Sequence, residues 1–585
     1  MSLRLLFIAM VVFCCSCKKI EKFEKKVLYR SSSAFIKGYD PVYTSDAYSN
    51  AEVSKIYEGL FQYHYLKRPY ELVPNLAKAM PVVSDSGHTY TFQIKEGIYF
   101  QDNPCFPNGK GRELKASDFI YSWKRLADPK IQSSGWSLLS HKIVGLNEWR
   151  EENTSQKTVN YDQEVEGLEL IDDYTFAIHL IKPSPQILYA FALAYTYAVP
   201  HEAVAYYGLD FQLNPVGTGP FVLHSYRRNR MVYRKSPYYR PVYFPNEGNK
   251  EDYESGILAD SNKRIPFVDE VVVNVQVESL PAWLMLERGR LDWYSIPKDQ
   301  YSSVVDSNQN LTQSYVEKGF TLLKNPSLDV TYIAFNNEDT LFRNNVNLRR
   351  AISFCYDKKR TSELFYNNRV VHAESILPPG IAGYDPDFVN PYAHYNLDSA
   401  RHYLALAGYP EGKGLPEIGY NTVNSATSRQ MSEFLRLALE KIGVELKVNM
   451  MTWPELIKLV HGRKAQMYGM AWGADYPDAE NFLMLFYSKN VSPGPNGSNY
   501  NDPYFDAQFL EAVGMEHSPE RTARYKMLTQ YIAKKVPVIF GVHRMAFVMK
   551  HEWVRNYKFT DFSEGLEKYI DIDLEKKKER LANSL

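Results

Sequence analysis

The chain has no excess of charge of either sign: Lys plus Arg and Asp plus Glu each total 68. No net field draws nucleic acid or an anionic membrane surface at long range, which argues against polyanion binding. Cysteine is scarce as well. Of five in 585 residues, three fall at Cys14, Cys15 and Cys17, leaving only Cys105 and Cys355 in the body. Two cysteines make no disulfide framework, and the sequence leaves open whether they pair. After Phe13 no apolar run approaches the roughly 20 residues that cross a bilayer. Catalytic signatures are missing too: there is no HExxH, P-loop, GxSxG elbow, CxxC pair in the body or GxGxxG after a strand. The 13 His residues are scattered, and each reads better as surface or packing than as a metal ligand. No metal, cofactor or catalytic residue is therefore expected.

What is present is length and aromatic content. At 585 residues and 45% hydrophobic, the chain exceeds what one core accommodates, and two or three domains are expected. Aromatics make up 14%, enough to fill cores and to line an amphipathic cavity. Arg4 followed by the apolar run Leu5 to Phe13 reads as an export signal over 1–17. Residues 18–28, rich in Lys and Glu, read as a solvated linker.

Elements follow from periodicity. SDAYSNAEVSKIYEGLF has helical spacing with Gly59 near its end. HTYTFQIKEGIYF alternates through Tyr90, Phe92 and Ile94 as a half-buried strand. KASDFIYSWKRLADP reads as a helix with Ser117 as N-cap and Pro129 as stop. Asp269 to Val277 is a β-branched run expected to be a buried strand. Further on, YNLDSARHYLALAGYP is a helix capped near Asp398 and closed at Gly408. Two helix-then-strand units run from Ser425 to Tyr476 and imply parallel pairing. There the run MYGMAWGADYPDAENFLMLFY places a lone acid, Asp475, directly after a strand. That acid is sited either to meet a cationic ligand group or to serve as a solvated or helix-capping residue.

Taken in order, YEGL, PNLAKAM, TYTFQIKEG, KASDFIYSWKRLADP, NPVGTGPFVLHSY, the Ala-Gly-Tyr-Pro helix exit and the Trp472 to Asp475 segment resemble the family-5 extracellular solute-binding proteins. These are the oligopeptide and dipeptide receptors of ABC importers. The resemblance covers about Tyr57 to His543. It implies a periplasmic-binding-protein-like α/β fold: two mixed lobes joined by two crossing strands, with an extra subdomain in the first. The implied bounds are 29–276 plus 538–585 for lobe I, with the subdomain at about 60–190, and 277–537 for lobe II. The Asp269 to Val277 strand corresponds to one that crosses between lobes.

The resemblance also implies the site. Trp472, Gly473 and Ala474 would offer main-chain groups to an extended peptide by strand addition, and Asp475 would accept from its α-ammonium. From the other lobe, Gly38 to Pro41, with Tyr39 and Asp40, resembles the family's Leu-Asp-Pro stretch, with Gly-Tyr before the acid. The turn Gly217 to Gly219 reads as either a further contact or purely architectural. His372 and His543 would lie near the cleft without serving as ligands. Ser16-Cys17 resembles the end of a lipobox, implying lipid on Cys17, with Cys15 as an alternative acceptor. The expected partners are a peptide, an ABC permease and, through lipid, a membrane, for a periplasmic or surface-exposed monomer that binds no nucleic acid. The competing readings are a non-peptide cargo on the same scaffold (a metal chelate, haem or sugar), an exported hydrolase, or an adhesin. Lobe closure on ligand is the usual behaviour of periplasmic binding proteins.

Overall fold

The structure is a computed structural model that describes residues 25–583 apart from 45, 228, 563 and 564. Cys14, Cys15 and Cys17, and with them the signal and lipidation readings, lie outside the described residues.

The first lobe is built on a four-stranded sheet in the order Val27–Ser32, Glu270–Val275, Arg230–Lys235, Phe221–Arg227. The β-branched run pairs parallel to Val27–Ser32 and antiparallel to Arg230–Lys235. Val271, Val272 and Val273 are all buried, as such a run requires when both faces are covered. A second sheet, in the order Val82–Ser84, Thr89–Gln93, Thr175–His179, Leu168–Leu170, is wholly antiparallel. Tyr90, Phe92 and Ile94 turn inward as the alternation predicts. Its core runs on into that of the first sheet through Phe61, Phe92, Trp123 and Phe191.

Helix Ala116–Ala127 buries Phe119, Trp123 and Leu126 on one stripe. Its cap differs from the expectation. The Asp118 carboxylate accepts the Lys115 N–H at 2.9 Å, closing the first turn from within, while Ser117 is exposed. The helix near residue 46 is also shorter than its periodicity suggests. It spans Ala47–Val53, capped by Asp46 on the Ser49 N–H at 2.9 Å. Helix Leu397–Leu406 is capped by Asn396 rather than Asp398.

The second lobe carries a five-stranded mixed sheet ordered Leu446–Met451, Ile418–Val423, Met467–Gly473, Asp329–Phe335, Val538–Phe540. One cluster packs on each of its faces. Between the lobes lies a small sheet in which the long strand Val542–His551 pairs with Trp293–Ser295, Phe320–Pro326 and Val370–His372. The chain passes between this sheet and that of the second lobe through Ser327 and Leu328 and again through Gly541, and Val370–His372 joins the small sheet from within the second-lobe stretch. Past His551 it returns to the first core with Trp553, Tyr569, Ile570 and Ile572. Among the described residues no helix is long and apolar enough to cross a membrane. Cys105 and Cys355 are both free thiols.

Candidate ligand site at the lobe junction

The strand Met467–Gly473 is paired on one side over its whole length, from Phe335 opposite Met467 to Asp329 opposite Gly473. On the other side it meets Ile418–Val423 only at Met467 and Tyr468. Among the described residues, no strand pairs with that second edge from Met470 to Gly473. Hydrogen bonds at the two ends fix which residues face which way. Asn336 N–H donates to the Gln466 carbonyl at 2.9 Å, and Ala474 N–H to the Leu328 carbonyl at 2.8 Å. In an antiparallel pair these groups alternate, so the even-numbered residues, Trp472 and Ala474 among them, spend their main-chain groups internally. Gly469 spends its N–H on the ladder with Ile418–Val423, and Ala471 and Gly473 turn theirs to the free edge. Of the three residues expected to offer main-chain groups, Gly473 turns its groups to the free edge and Trp472 and Ala474 do not; Ala471 is a further outward-facing residue that sequence reasoning missed.

The position of this edge follows from topology. The chain leaves Ile418–Val423 for Leu446–Met451 on one side and returns to Met467–Gly473 on the other. Where strand order reverses in this way, a crevice opens at the carboxyl ends of the strands, and ligands settle in such crevices.

Asp475 stands two residues past the strand end. Its N–H donates to Asn481 Oδ1 at 2.9 Å, and Asn481 Nδ2 donates to its Oδ2 at 3.1 Å. Asn481 is fully buried and also takes the Trp472 indole N–H at 3.3 Å, so one amide holds both the acid and the strand end. Asp475 caps no helix. Its surface is exposed, yet enough protein surrounds it that lost solvation raises its carboxyl above the ordinary aspartate range, opposed only by the Asn481 bond. No cation among the described residues contributes to that shift.

Next to it the two lobes touch. The Tyr476 ring stacks on Tyr189 of the first lobe, with centroids 5.2 Å apart and planes at 10°. Tyr189 Oη lies 3.0 Å from His517 Nε2, and Gln186 Nε2 donates to the Val513 carbonyl at 3.0 Å. Burial lowers the His517 pKa. Behind it, Arg521 holds Asp478 through two bonds at 2.7 and 3.1 Å. A cavity of about 430 Å³ lies alongside, walled by Tyr70, Leu72, Met80 and Leu188 of the first lobe and by Glu516 and His517 of the second.

The first-lobe candidates are placed differently. Tyr39 is wholly buried, its hydroxyl 2.8 Å from that of Tyr233, which donates to Glu52. Asp40 is 3% exposed and takes both Arg125 Nη groups at 2.9 and 2.7 Å. Neither side chain faces the cleft in this structure. The Gly217 to Gly219 turn is buried against the end of the Ala47–Val53 segment. A Cβ would meet the Ile56 carbonyl at 2.1 Å from Gly217 and at 2.5 Å from Gly219, so close backbone approach accounts for both glycines. His543 is buried in the strand between the lobes and donates from Nδ1 to the Asp329 carbonyl at 2.7 Å; His372 lies 2.9 Å from Ser362 Oγ. No group of three His, Cys, Asp or Glu that could hold a metal occurs among the described residues.

The family model described as bacterial extracellular solute-binding proteins, family 5, matches residues 71–494. Among curated proteins, the haem-binding protein A of Haemophilus influenzae is 26% identical over 552 residues, covering 92% of this chain and 91% of its own. The dipeptide-binding protein of Escherichia coli is 24% identical, covering 91% and 92%. An ABC-transporter-associated periplasmic binding protein from Helicobacter pylori, solved with the peptide STSA, superposes with a TM-score of 0.69 at 23% identity, over 94% of this chain and 98% of its own.

Proposed function

We propose, on the premise that this chain belongs to the family-5 bacterial extracellular solute-binding proteins, that its cargo is a short peptide bound between the lobes and handed to an ABC permease. The observation that carries this reading is Asp475. It is an exposed carboxylate that meets no cation among the described residues, beside a free strand edge, one residue from the lobe contact. An ammonium group supplies the missing charge, and an extended backbone supplies partners for Gly473 and Ala471. A desolvated charge-assisted bond of this kind is lost at a cost of about 2 to 4 kcal/mol when one partner is removed. Trp472 and Ala474 shape the edge from behind, and the Gly38 to Pro41 segment, buried and locked by Arg125, supports the first lobe from within.

Within this reading the second lobe runs from about 328 to 540, because Val538–Phe540 is a strand of its sheet, and the first lobe takes 29–276 and the stretch from about 552 on. The protein is a non-catalytic monomer, lipid-anchored through Cys17 or Cys15 outside the inner membrane. Ligand contacts on both lobes give the differential affinity that populates the closed form. The haem-binding relative raises a second cargo. A porphyrin carrying two carboxylates meets the wrong sign at Asp475, which favours the peptide. Titration with di- to pentapeptides by calorimetry, set against haemin followed by its visible absorption, separates the two: peptide heat with no haemin spectral shift supports the proposal, and the reverse overturns it.

A further inference from the structure

Apart from the lobe junction, the first lobe carries a groove of about 930 Å³ whose walls come only from residues between Ser117 and His201. Its charge is at odds with the rest of the chain. Basic and acidic residues balance at 68 each overall, yet residues 148–173 hold nine acids and two bases. Asp162, Glu164 and Glu166 are exposed at the groove, and among the described residues none of their carboxylates has an ion pair or a hydrogen bond. The other charges there are already engaged. Asp118 holds the Arg112 guanidinium at 2.7 and 2.8 Å, Glu169 lies 3.0 Å from His179, and His201 lies 3.3 Å from Glu202. Lys124, 6% exposed, donates from its ammonium to the Tyr161 and Gln163 carbonyls at 2.9 and 2.8 Å.

One wall of the groove is a sheet edge. Among the described residues Leu168–Leu170 pairs only with Thr175–His179. The His179 N–H donates to the Gly167 carbonyl at 3.1 Å and the Ile171 N–H to the Thr175 carbonyl at 3.0 Å, so the odd-numbered residues face the neighbouring strand. Leu170 therefore turns its N–H and carbonyl outward, and Leu168 its carbonyl; the Leu168 N–H is spent on the Val165 carbonyl at 2.9 Å. The two leucines lie opposite Phe176 and Ile178 and share their face, which helix Ala116–Ala127 covers with Phe119. Leu168 is under that cover, whereas Leu170 extends past it, 52% exposed, with Ile120 and Tyr121 of the helix on the same groove wall. An unpaired edge free of proline and lysine is open to another strand.

We infer that this groove docks a partner protein, which adds an extended basic segment to the edge at Leu168–Leu170. The added strand lies about 4.8 Å beyond that edge and hydrogen-bonds the outward groups of the two leucines. Because side chains alternate along a strand, one of its faces covers Leu170, Ile120 and Tyr121 and suits apolar residues. Its lysines or arginines meet Asp162, Glu164 and Glu166, where no internal ion pair has to break first. The same sign works against an acidic partner. The site is separate from the cargo cleft and stands whatever the cargo is.

Fluorescence anisotropy tests this on the full chain with a side-chain-labelled octapeptide of alternating valine and lysine, acetylated and amidated so that it offers no free end to the cleft. This peptide is expected to bind, and its counterpart with glutamate in place of lysine is not. The triple substitution Asp162→Asn, Glu164→Gln, Glu166→Gln is expected to weaken binding roughly tenfold or more. Leu170→Pro is expected to do the same, since it removes the outward N–H at a position where an edge strand tolerates proline. In the wild type, amide exchange over 166–172 should slow when the peptide is added, and excess trialanine should not displace it. Circular dichroism checks the variants, and if Leu170→Pro does not fold, the exchange result decides. Absence of binding by the wild type overturns the inference and leaves the acids as guards of an exposed edge. Full affinity in either folded variant overturns it too, as does displacement by trialanine, which would put the octapeptide in the cleft.

Discussion

Two aspartates that the sequence suggests for opposite walls of one cleft, Asp40 and Asp475, have opposite environments. Asp40 is buried and its two oxygens are consumed by Arg125. Asp475 is exposed, touches one neutral amide and is left with a carboxyl whose ionisation costs more than usual. A paired acid inside a lobe holds the lobe together, whereas an unpaired acid on a concave face is a stored electrostatic demand that a cationic ligand can meet. What separates Asp40 from Asp475 is the presence of a cationic partner among the described residues.

The largest effect that sharpens this contrast is on stability. Asp40→Asn leaves the Arg125 guanidinium buried without its counter-charge and is expected to cost about 3 to 5 kcal/mol of unfolding free energy. Urea denaturation checks this, and peptide affinity per folded molecule should stay close to wild type. Asp475→Asn should do the reverse. Its unfolding midpoint stays near or slightly above that of the wild type, while peptide affinity falls tenfold or more. Equal stability losses in the two variants, or equal affinity losses, would break the comparison.

The pH dependence follows from the same raised carboxyl. Folding holds the Asp475 pKa above its unfolded value, so the folded protein protonates first as pH falls. The charge that meets an ammonium is present above the raised pKa and lost below it. Peptide affinity should therefore decline as pH drops from neutral, beginning above the range of an ordinary aspartate, and Asp475→Asn should lack that decline. The stability contribution of the same group runs the other way, present below the unfolded pKa and lost as pH rises through the folded one. The smallest effect belongs to the lobe contact. Tyr189→Phe removes the bond to His517 but keeps the ring on Tyr476, at a cost of about 0.5 to 1.5 kcal/mol to that contact. Small-angle scattering of the ligand-free variant should then show a modestly larger radius of gyration than the wild type.

Much of the fold was legible because it rests on local periodicity: the alternation at Tyr90, Phe92 and Ile94, the β-branched run at Val271 to Val273, and the helix-strand units leading to Trp472. Caps were less so. Asp118 and Asn396 displaced Ser117 and Asp398 because several capable side chains lie within one turn and tertiary packing chooses among them. In the site, Asp475 was visible as a lone acid after a strand. Asn481 was not, although its place six residues on, in the aromatic segment, could have marked it. Tyr189 and His517 meet only through the lobe contact, and Ala471 faces the free edge only through strand register, which no linear spacing encodes. The Asp40 pairing was hidden for the same reason, since Arg125 is 85 residues away.

The most direct test of the central claim is isothermal calorimetry of one short peptide, with a free and with an acetylated amino terminus, against the wild type and Asp475→Asn. The account predicts that acetylation weakens binding to the wild type by tenfold or more, and that the variant binds both forms with the weaker affinity. Equal affinity of the wild type for the two forms would contradict it.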